Sequence, residues 1–216
     1  MVTQLLFGDH FEILEVLGSW CRIKIAYDHY ECWIDKKQFQ SIEQHTFDIL
    51  NTSEIFSANE LITVITHNNT KQLFPIAMGS SLPNFDNGEC AVENQSYLYD
   101  GAFVTGALPF TKGGIMDIAM MFLNAPYLWG GKTPFGIDCS GFTQMAYKLN
   151  GIKLPRDAYQ QAEIGETLSF VEEAEAGDLA FFDNDEGRIV HVGIVMDNNK
   201  IIHSSGKVRI DGFDHQ

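Results

Sequence analysis

One cysteine and two histidines carry the chemistry open to this chain of 216 residues. Cys139 lies in Tyr127-Leu-Trp-Gly-Gly-Lys-Thr-Pro-Phe-Gly-Ile-Asp-Cys-Ser-Gly-Phe142, a glycine-punctuated loop that runs into a helical pattern. Apolar residues at Phe142, Met145, Ala146 and Leu149 have the spacing of one buried helical face, and Asn150-Gly151 supplies the stop. Asp138 stands where an N-cap belongs, which puts Cys139 in the first turn. Unpaired N–H groups and the positive end of the helix dipole favour a thiolate there, and the thiolate is the nucleophilic form. The expectation is a sulfur activated by its position, with Ser140 and Gly141 small enough for a substrate backbone to approach.

A nucleophilic thiol needs a base, and the base needs an orienting partner. His191-Val-Gly-Ile-Val-Met196 and Lys200-Ile-Ile-His-Ser204 read as strands on either side of an Asp197-Asn-Asn turn, an antiparallel hairpin. A turn centred on Asp197 sets the two imidazoles face to face. One slipped toward Asn198 makes them diagonal neighbours on one face, and either register brings the rings together. The expected roles are Cys139 as nucleophile and His191 as the base that takes the thiol proton and returns it to the leaving amine. His203 then fixes the tautomer and orientation of His191, and the Cys139 N–H is one oxyanion donor.

The run Asp138-Cys-Ser-Gly-Phe142, with Tyr127-Leu-Trp-Gly-Gly131 before it and Leu154-Pro-Arg-Asp157, Gly177-Asp-Leu179, His191-Val-Gly-Ile194 and His203 after it, resembles the NlpC-type peptidases. These are papain-like enzymes that cut bacterial cell-wall peptides. The resemblance starts at Thr111 and implies Cys139 as nucleophile, His191 as base and His203 as the third polar member. Tyr127, twelve positions before the cysteine, matches a tyrosine that helps stabilise the oxyanion; a core aromatic is the alternative that the residues alone leave open. In the subgroup that also carries bacterial SH3-like modules, an aspartate matching Asp157 holds the free amine of a terminal L-alanine, and Trp129, Asp138 and Ser140 match other pocket positions. Ala158 departs from relatives that have serine there. The subgroup implies a cysteine endopeptidase that hydrolyses the γ-D-glutamyl-diamino acid bond of peptidoglycan stem peptides with a free N-terminal L-alanine, in murein peptide recycling or turnover. Its partners would be muropeptides, and no cofactor or metal is implied. Three other readings of the same residues are a non-catalytic wall-peptide binder, an acyl transferase using the same nucleophile, and a zinc site, which lacks paired ligand spacing.

The elements that must position these residues follow from the pattern. Ile115, Ile118, Ala119 and Phe122 share one helical face, closed before Pro126. Asp157 to Ala162 opens another helical turn, and Gly177-Asp-Leu-Ala-Phe-Phe182 reads as a buried strand before the two-histidine hairpin. Helix, cysteine helix, then strands is the order an α+β papain-like domain requires, here assigned to residues 109–216 with 109–114 as the linker into it. After His203 the chain is expected to stop short of a further strand, leaving a sheet edge.

The first forty residues read as short strands: Phe11-Glu-Ile-Leu-Glu-Val16, Trp20 to Ala26, and Tyr30-Glu-Cys-Trp-Ile34. They resemble the latter part of a bacterial SH3-like barrel, so residues 1–43 are assigned to such a module, N-terminally incomplete and marginal as an independent core. Tyr30 is either its contribution to the pocket or a barrel-surface tyrosine. Residues 44–108 form a second β-rich unit, resembling a more diverged SH3-like barrel, with strands near 60–65, 74–78, 88–92 and 97–99 and a turn signal at Asp100-Gly101. The expected architecture is thus two small β-barrel modules followed by the catalytic domain.

Composition bounds the partners. A formal charge of −15, from 29 acidic and 14 basic residues, opposes binding to nucleic acid and to anionic lipid headgroups. With 45% apolar residues and six prolines the chain is an ordinary globular one. No run is long enough to span a bilayer, so no membrane insertion is expected. The four cysteines, 21, 32, 90 and 139, include no Cys-x-x-Cys pair, although Cys21 and Cys32 could meet across a hairpin. An activated thiol among three others favours a reducing compartment, and Met1-Val-Thr-Gln-Leu-Leu-Phe lacks the basic start and long apolar run of a signal peptide. The expected location is cytoplasmic, or the cell envelope if the chain is shortened at its amino terminus.

Overall fold

The computed structural model describes residues 1–106 and 111–213. By packing, the chain divides into two compact units, 5–107 and a second one made of 1–4 with 108–216. The Pro109 and Phe110 part of the expected linker and the final three residues lie outside the described residues.

In the first unit, β1 (Phe11–Leu17), β2 (Trp20–Ile25) and β3 (Glu31–Asp35) form an antiparallel meander. Alternation sets its inward face: Cys21, Ile23, Ile25, Cys32 and Ile34 are buried together, with Tyr30 half-buried against them. Cys21 pairs with Ile34 and Ile23 with Cys32, so the two thiols face one core from diagonal positions, and none of the four cysteines is in a disulfide. A helix that the β-rich reading missed follows, α1 (Gln44–Thr52), held by Phe47 edge-on to His10 at 5.3 Å. Strand β4 (Phe56–Ala58) pairs with β9 (Phe103–Thr105), while β5 (Ile62–His67), β6 (Leu73–Ala77), β7 (Glu89–Val92) and β8 (Gln95–Leu98) form a sheet in the order β6-β5-β8-β7. The Asp100-Gly101 step is therefore not a hairpin turn: it carries the chain from one sheet to another.

The second unit is built around one helix. α2 (Lys112–Met121), capped by Thr111 Oγ1 accepting from Gly114 N at 3.0 Å, buries Ile115, Ile118 and Ala119. A two-strand ribbon, β10 (Lys132–Thr133) with β11 (Gly136–Ile137), then leads into α3 (Cys139–Lys148). Every residue of α3 is buried, not one face of it as its apolar spacing suggests. The helix is central, so its polar side chains bond internally: Thr143 Oγ1 donates to Gln161 Oε1 at 2.7 Å and Gln144 Nε2 to the Leu154 carbonyl at 3.0 Å, while Gln144 Oε1 is buried without a hydrogen-bond partner. After α4 (Ala158–Ala162) comes an antiparallel sheet of β12 (Leu179–Asp183), β13 (Ile189–Met196), β14 (Lys200–Ser205) and β15 (Lys207–Gly212), in that order. β15 corrects the expectation that the chain stops short of a further strand. The alternation of Val208 and Ile210 with Lys207, Arg209 and Asp211 lets it pair along all of β14.

The mouth of α3 is fixed by a buried ion pair. Asp138 caps the helix through Oδ1, which accepts from Gly141 N at 2.7 Å, while Oδ2 accepts from Gly130 N at 2.7 Å. Arg156, 1% exposed, donates to both carboxylate oxygens, at 3.0 and 2.7 Å, and its remaining groups reach Ser140 Oγ and Thr3 Oγ1. Gly141 belongs to the same arrangement, since a Cβ there would lie 2.4 Å from the Gly131 carbonyl oxygen and 2.8 Å from Asp138 Oδ1. Its smallness is required by the packing of the loop. Removing one partner of such a pair strands the other charge, so Arg156→Met is expected to lose roughly 3–5 kcal/mol of stability, read from the midpoint and slope of urea unfolding.

Candidate active site

Cys139 is the first residue of α3, and its side chain packs with Ala158 of α4 and Val192 of β13. The backbone N–H groups of Val192, Ser140 and Cys139 itself favour a charged sulfur. Burial outweighs them, and the Asp138 carboxylate adds to it, so the thiol is pushed above its ordinary pKa. The helix mouth does not ionise this sulfur by itself, as its position in the sequence suggests. The same loop brings Tyr127, half-buried, close enough that the charge of Cys139, after burial, raises the phenol's pKa.

The histidines lie on adjacent strands. Gly193 pairs with His203 and Met196 with Lys200 around a three-residue turn in which Asn198 and Asn199 take positive φ, 61° and 52°. This is the diagonal register of the two anticipated, with His191 two positions along from the residue opposite His203. The rings meet at 2.7 Å, His191 Nε2 to His203 Nδ1. Gly193 makes room for that contact: a Cβ there would come within 2.5 Å of Ile201 Cδ1 and 2.9 Å of His203 Cβ. His191 is half-buried beside Phe182, and burial, reinforced by His203, pulls its pKa down to about 4. It is neutral at pH 7, with Nδ1 as the ring nitrogen not engaged by His203.

The array extends one residue further than the sequence reading placed it. His203 Nε2 lies 2.9 Å from Asp211 Oδ2, and Arg209 Nε donates to that same oxygen at 2.7 Å. Asp211 falls in the segment taken as the chain's end; the signal that could have found it is the period-two pattern from Lys207 to Asp211. Arg156 was equally hidden, because a charged residue in a polar segment gives no sign of burial.

Of the expected pocket residues, Trp129 is 68% exposed on the loop before Gly130, and Asp157 is half-buried at the N-cap of α4, where its N–H donates to Gln160 Oε1 at 3.2 Å. Asp138 and Ser140 are both 6% exposed, and their polar atoms face Arg156, Gly130 and Gly141. Both therefore help to build the loop, over the buried Arg156. Tyr30 belongs to the 5–107 unit, packed against its β1–β3 core. Among the described residues no three His, Cys, Asp and Glu side chains are grouped to hold a metal ion, and no helix is long and apolar enough to cross a membrane. A buried thiol packed against Val192, the residue after the neutral His191, can support nucleophilic attack in which the proton leaves sulfur as the new bond forms.

Comparison with known proteins agrees with this geometry. The NlpC/P60 family pattern matches residues 124–216, and the bacterial dipeptidyl-peptidase Sh3 domain matches residues 1–39. The chain is 30% identical over 220 residues to a gamma-D-glutamyl-L-lysine dipeptidyl-peptidase of Bacillus subtilis (strain 168), covering 94% of this chain and 71% of that one. It is 27% identical to dipeptidyl-peptidase 6 of Lysinibacillus sphaericus, covering all of this chain and 85% of the relative. The crystal structure of an NlpC/P60 family protein from Bacillus cereus ATCC 10987 superposes with a TM-score of 0.87 at 26% identity, covering 99% of this chain and 77% of that one. A thiol at a helix mouth, a histidine pair on adjacent strands and similarities that span nearly all of this chain lead to one statement: the chain belongs to the NlpC/P60 family of cysteine peptidases and carries a bacterial SH3 domain at its amino terminus.

Proposed function

We propose that this protein hydrolyses the γ-D-glutamyl-diamino acid bond of peptidoglycan stem peptides that begin with a free L-alanine, as part of wall-peptide recycling or turnover. The observation that carries the reading is the 2.7 Å contact between His191 Nε2 and His203 Nδ1, which leaves His191 Nδ1 as the nitrogen to serve a thiol held at the Val192 amide. Cys139 Sγ attacks the γ-carbonyl carbon of the D-glutamyl residue as its proton passes to His191 Nδ1. The resulting oxyanion is met by the Cys139 N–H, which has no intrahelical partner at the first helical position, and by the neutral phenol of Tyr127. The imidazolium then protonates the leaving α-amine of the diamino acid, and the thioester is hydrolysed by water that gives its proton to the same nitrogen.

Because the thiol is raised and the imidazole lowered, the resting enzyme holds a neutral pair, and charge separates only as sulfur attacks. This arrangement suits a buried site, where a standing ion pair carries a desolvation cost. Trp129 offers an exposed aromatic face to the peptide, and Asp157 a carboxylate for the ammonium of the terminal L-alanine. As the peptide's N-terminus, that ammonium lies on the acyl side of the cut bond, so recognition of it sets the length of the fragment released. We read residues 44–108 as a second SH3-like module, supported by small antiparallel sheets around a core of Ala58, Ile65, Ile76, Leu82, Cys90 and Tyr99.

The test is cleavage of L-alanyl-γ-D-glutamyl-L-lysine and of its N-acetylated form. Cleavage of the free-amine peptide, abolished in Cys139→Ala and at least about 10-fold slower for the blocked peptide, is expected; 10-fold corresponds to about 1.4 kcal/mol, just under the ~1.5–3 kcal/mol of one hydrogen bond to a charged group. Equal rates on the two peptides would remove amine recognition, and activity surviving in Cys139→Ala would remove the mechanism. His191 also makes stability depend on pH. Its folded pKa of about 4 lies below the ordinary 6.5, so between these values the unfolded chain binds a proton that the folded chain does not. Stability should fall as pH drops from 6.5 toward 4, and the drop in Tm over that window should be smaller in His191→Asn. An identical slope in the variant would contradict the assignment.

A further inference from the structure

Three strands of the sheet carry a diagonal line of side chains. Gly193 pairs with His203, and His203 with Arg209, so His191 and Asp211 each lie two residues from the position opposite His203, on the same face of the sheet. Diagonal neighbours at this offset are within reach of long side chains. Here they touch, His191 Nε2 to His203 Nδ1 at 2.7 Å and His203 Nε2 to Asp211 Oδ2 at 2.9 Å. The line ends on Arg209, whose Nε donates to the same Oδ2 at 2.7 Å.

We propose that Asp211 is a positioning residue that sets the tautomers of both histidines and thereby leaves His191 Nδ1 unprotonated. An ionised carboxylate only accepts, so in the neutral form of the His203 ring the nitrogen facing it is the one that carries hydrogen. His203 Nε2 is then the donor and His203 Nδ1 the acceptor. That acceptor requires the hydrogen of neutral His191 to sit on Nε2, and His191 Nδ1 is left with its lone pair. Reversing any one bond reverses the rest: a donor in place of the carboxylate would put hydrogen on His203 Nδ1 and then on His191 Nδ1, where a base cannot use it. Arg209 holds Asp211 in the charged, accept-only form, and its guanidinium followed by His203 keeps that carboxyl below the usual range. The inference rests on the peptidase reading for its consequence in catalysis, but the tautomers themselves are a property of the free protein.

The experiment uses the full chain labelled with ¹⁵N-histidine, observed at pH 8, above the ordinary histidine range, by long-range ¹H–¹⁵N correlation. Expected are hydrogen on Nε2 of both His191 and His203 and an unprotonated Nδ1 on both. Asp211→Asn, whose amide can either donate or accept, should give mixed tautomers and, against L-alanyl-γ-D-glutamyl-L-lysine, lose on the order of 10- to 100-fold in kcat with KM unchanged, less than the roughly 10²–10⁴-fold that general acid–base catalysis supplies in full. Asp211→Glu should restore the wild-type tautomers and most of the rate. Hydrogen on His191 Nδ1 in the wild type overturns the proposal, and this reading needs no variant to fold. Unchanged tautomers and kcat in Asp211→Asn also overturn it. A protein with the expected tautomers, lost in Asp211→Asn, that cleaves no γ-glutamyl peptide overturns the peptidase reading and supports the tautomer assignment.

Discussion

The pairing of Arg156 with Asp138 is the constraint on which the rest of the second unit depends. A carboxylate at the mouth of α3 can satisfy helix N–H groups or a neighbouring loop, and here it does both because a guanidinium beneath it neutralises the charge that burial would otherwise penalise. The planar fork of arginine matches the two carboxylate oxygens, a geometry that a lysine could not supply. From this junction the chain is tied in three directions: to Gly130 of the loop before the cysteine, to Gly141 in the first turn of the helix, and to Thr3 at the amino terminus. Cys139 stands between two of these anchors. The position of its sulfur is thus a consequence of a buried polar network, with the apolar core of α3 packed around it.

That network has an electrostatic consequence of its own. The carboxylate that fixes the helix mouth lies next to the nucleophile and, with burial, works against its ionisation. The backbone N–H groups that favour a thiolate are present but weaker in sum. On the sheet, burial works on His191 in the complementary sense and keeps it neutral. Both halves of the pair are shifted toward their uncharged forms. A site of this kind avoids a permanent ion pair in an interior position and makes proton transfer part of the attack, so the orientation of the imidazole matters more than its basicity in the free protein. The diagonal line from His191 to Arg209 answers that requirement: each member is fixed by the next, and only the last two reach solvent extensively.

The first unit follows a simpler logic. Short strands alternate apolar and polar residues, and two separate small cores form, one under β1–β3 and one under the sheet of β5–β8. Neither contains a group of titratable side chains comparable to that on β13–β15. Its buried thiols, Cys21, Cys32 and Cys90, behave as small hydrophobic residues, and burial pushes the Cys90 thiol up to about 11.

The sequence by itself determined the helix that begins at Cys139, its Asp138 cap, the two-histidine hairpin and the strands of β1–β3, because each is dictated by local periodicity and by turn or capping chemistry within a few residues. It also determined the family, since short motifs in fixed order survive at low overall identity. Tertiary structure decided what no local pattern can contain. That the polar atoms of Asp138 and Ser140 meet a buried guanidinium depended on Arg156, many residues away, folding beneath them. Which of two hairpin registers held depended on Asn198 and Asn199 accepting positive φ and on Gly193 clearing space for His203. Whether the thiol was ionised depended on the sum of burial and nearby charge, a long-range quantity that outweighed the helix terminus readable from the sequence. Asp211 joined the site only through the pairing of β15 with β14, because hydrogen bonds between strands bring together residues whose spacing along the chain carries no sign of it.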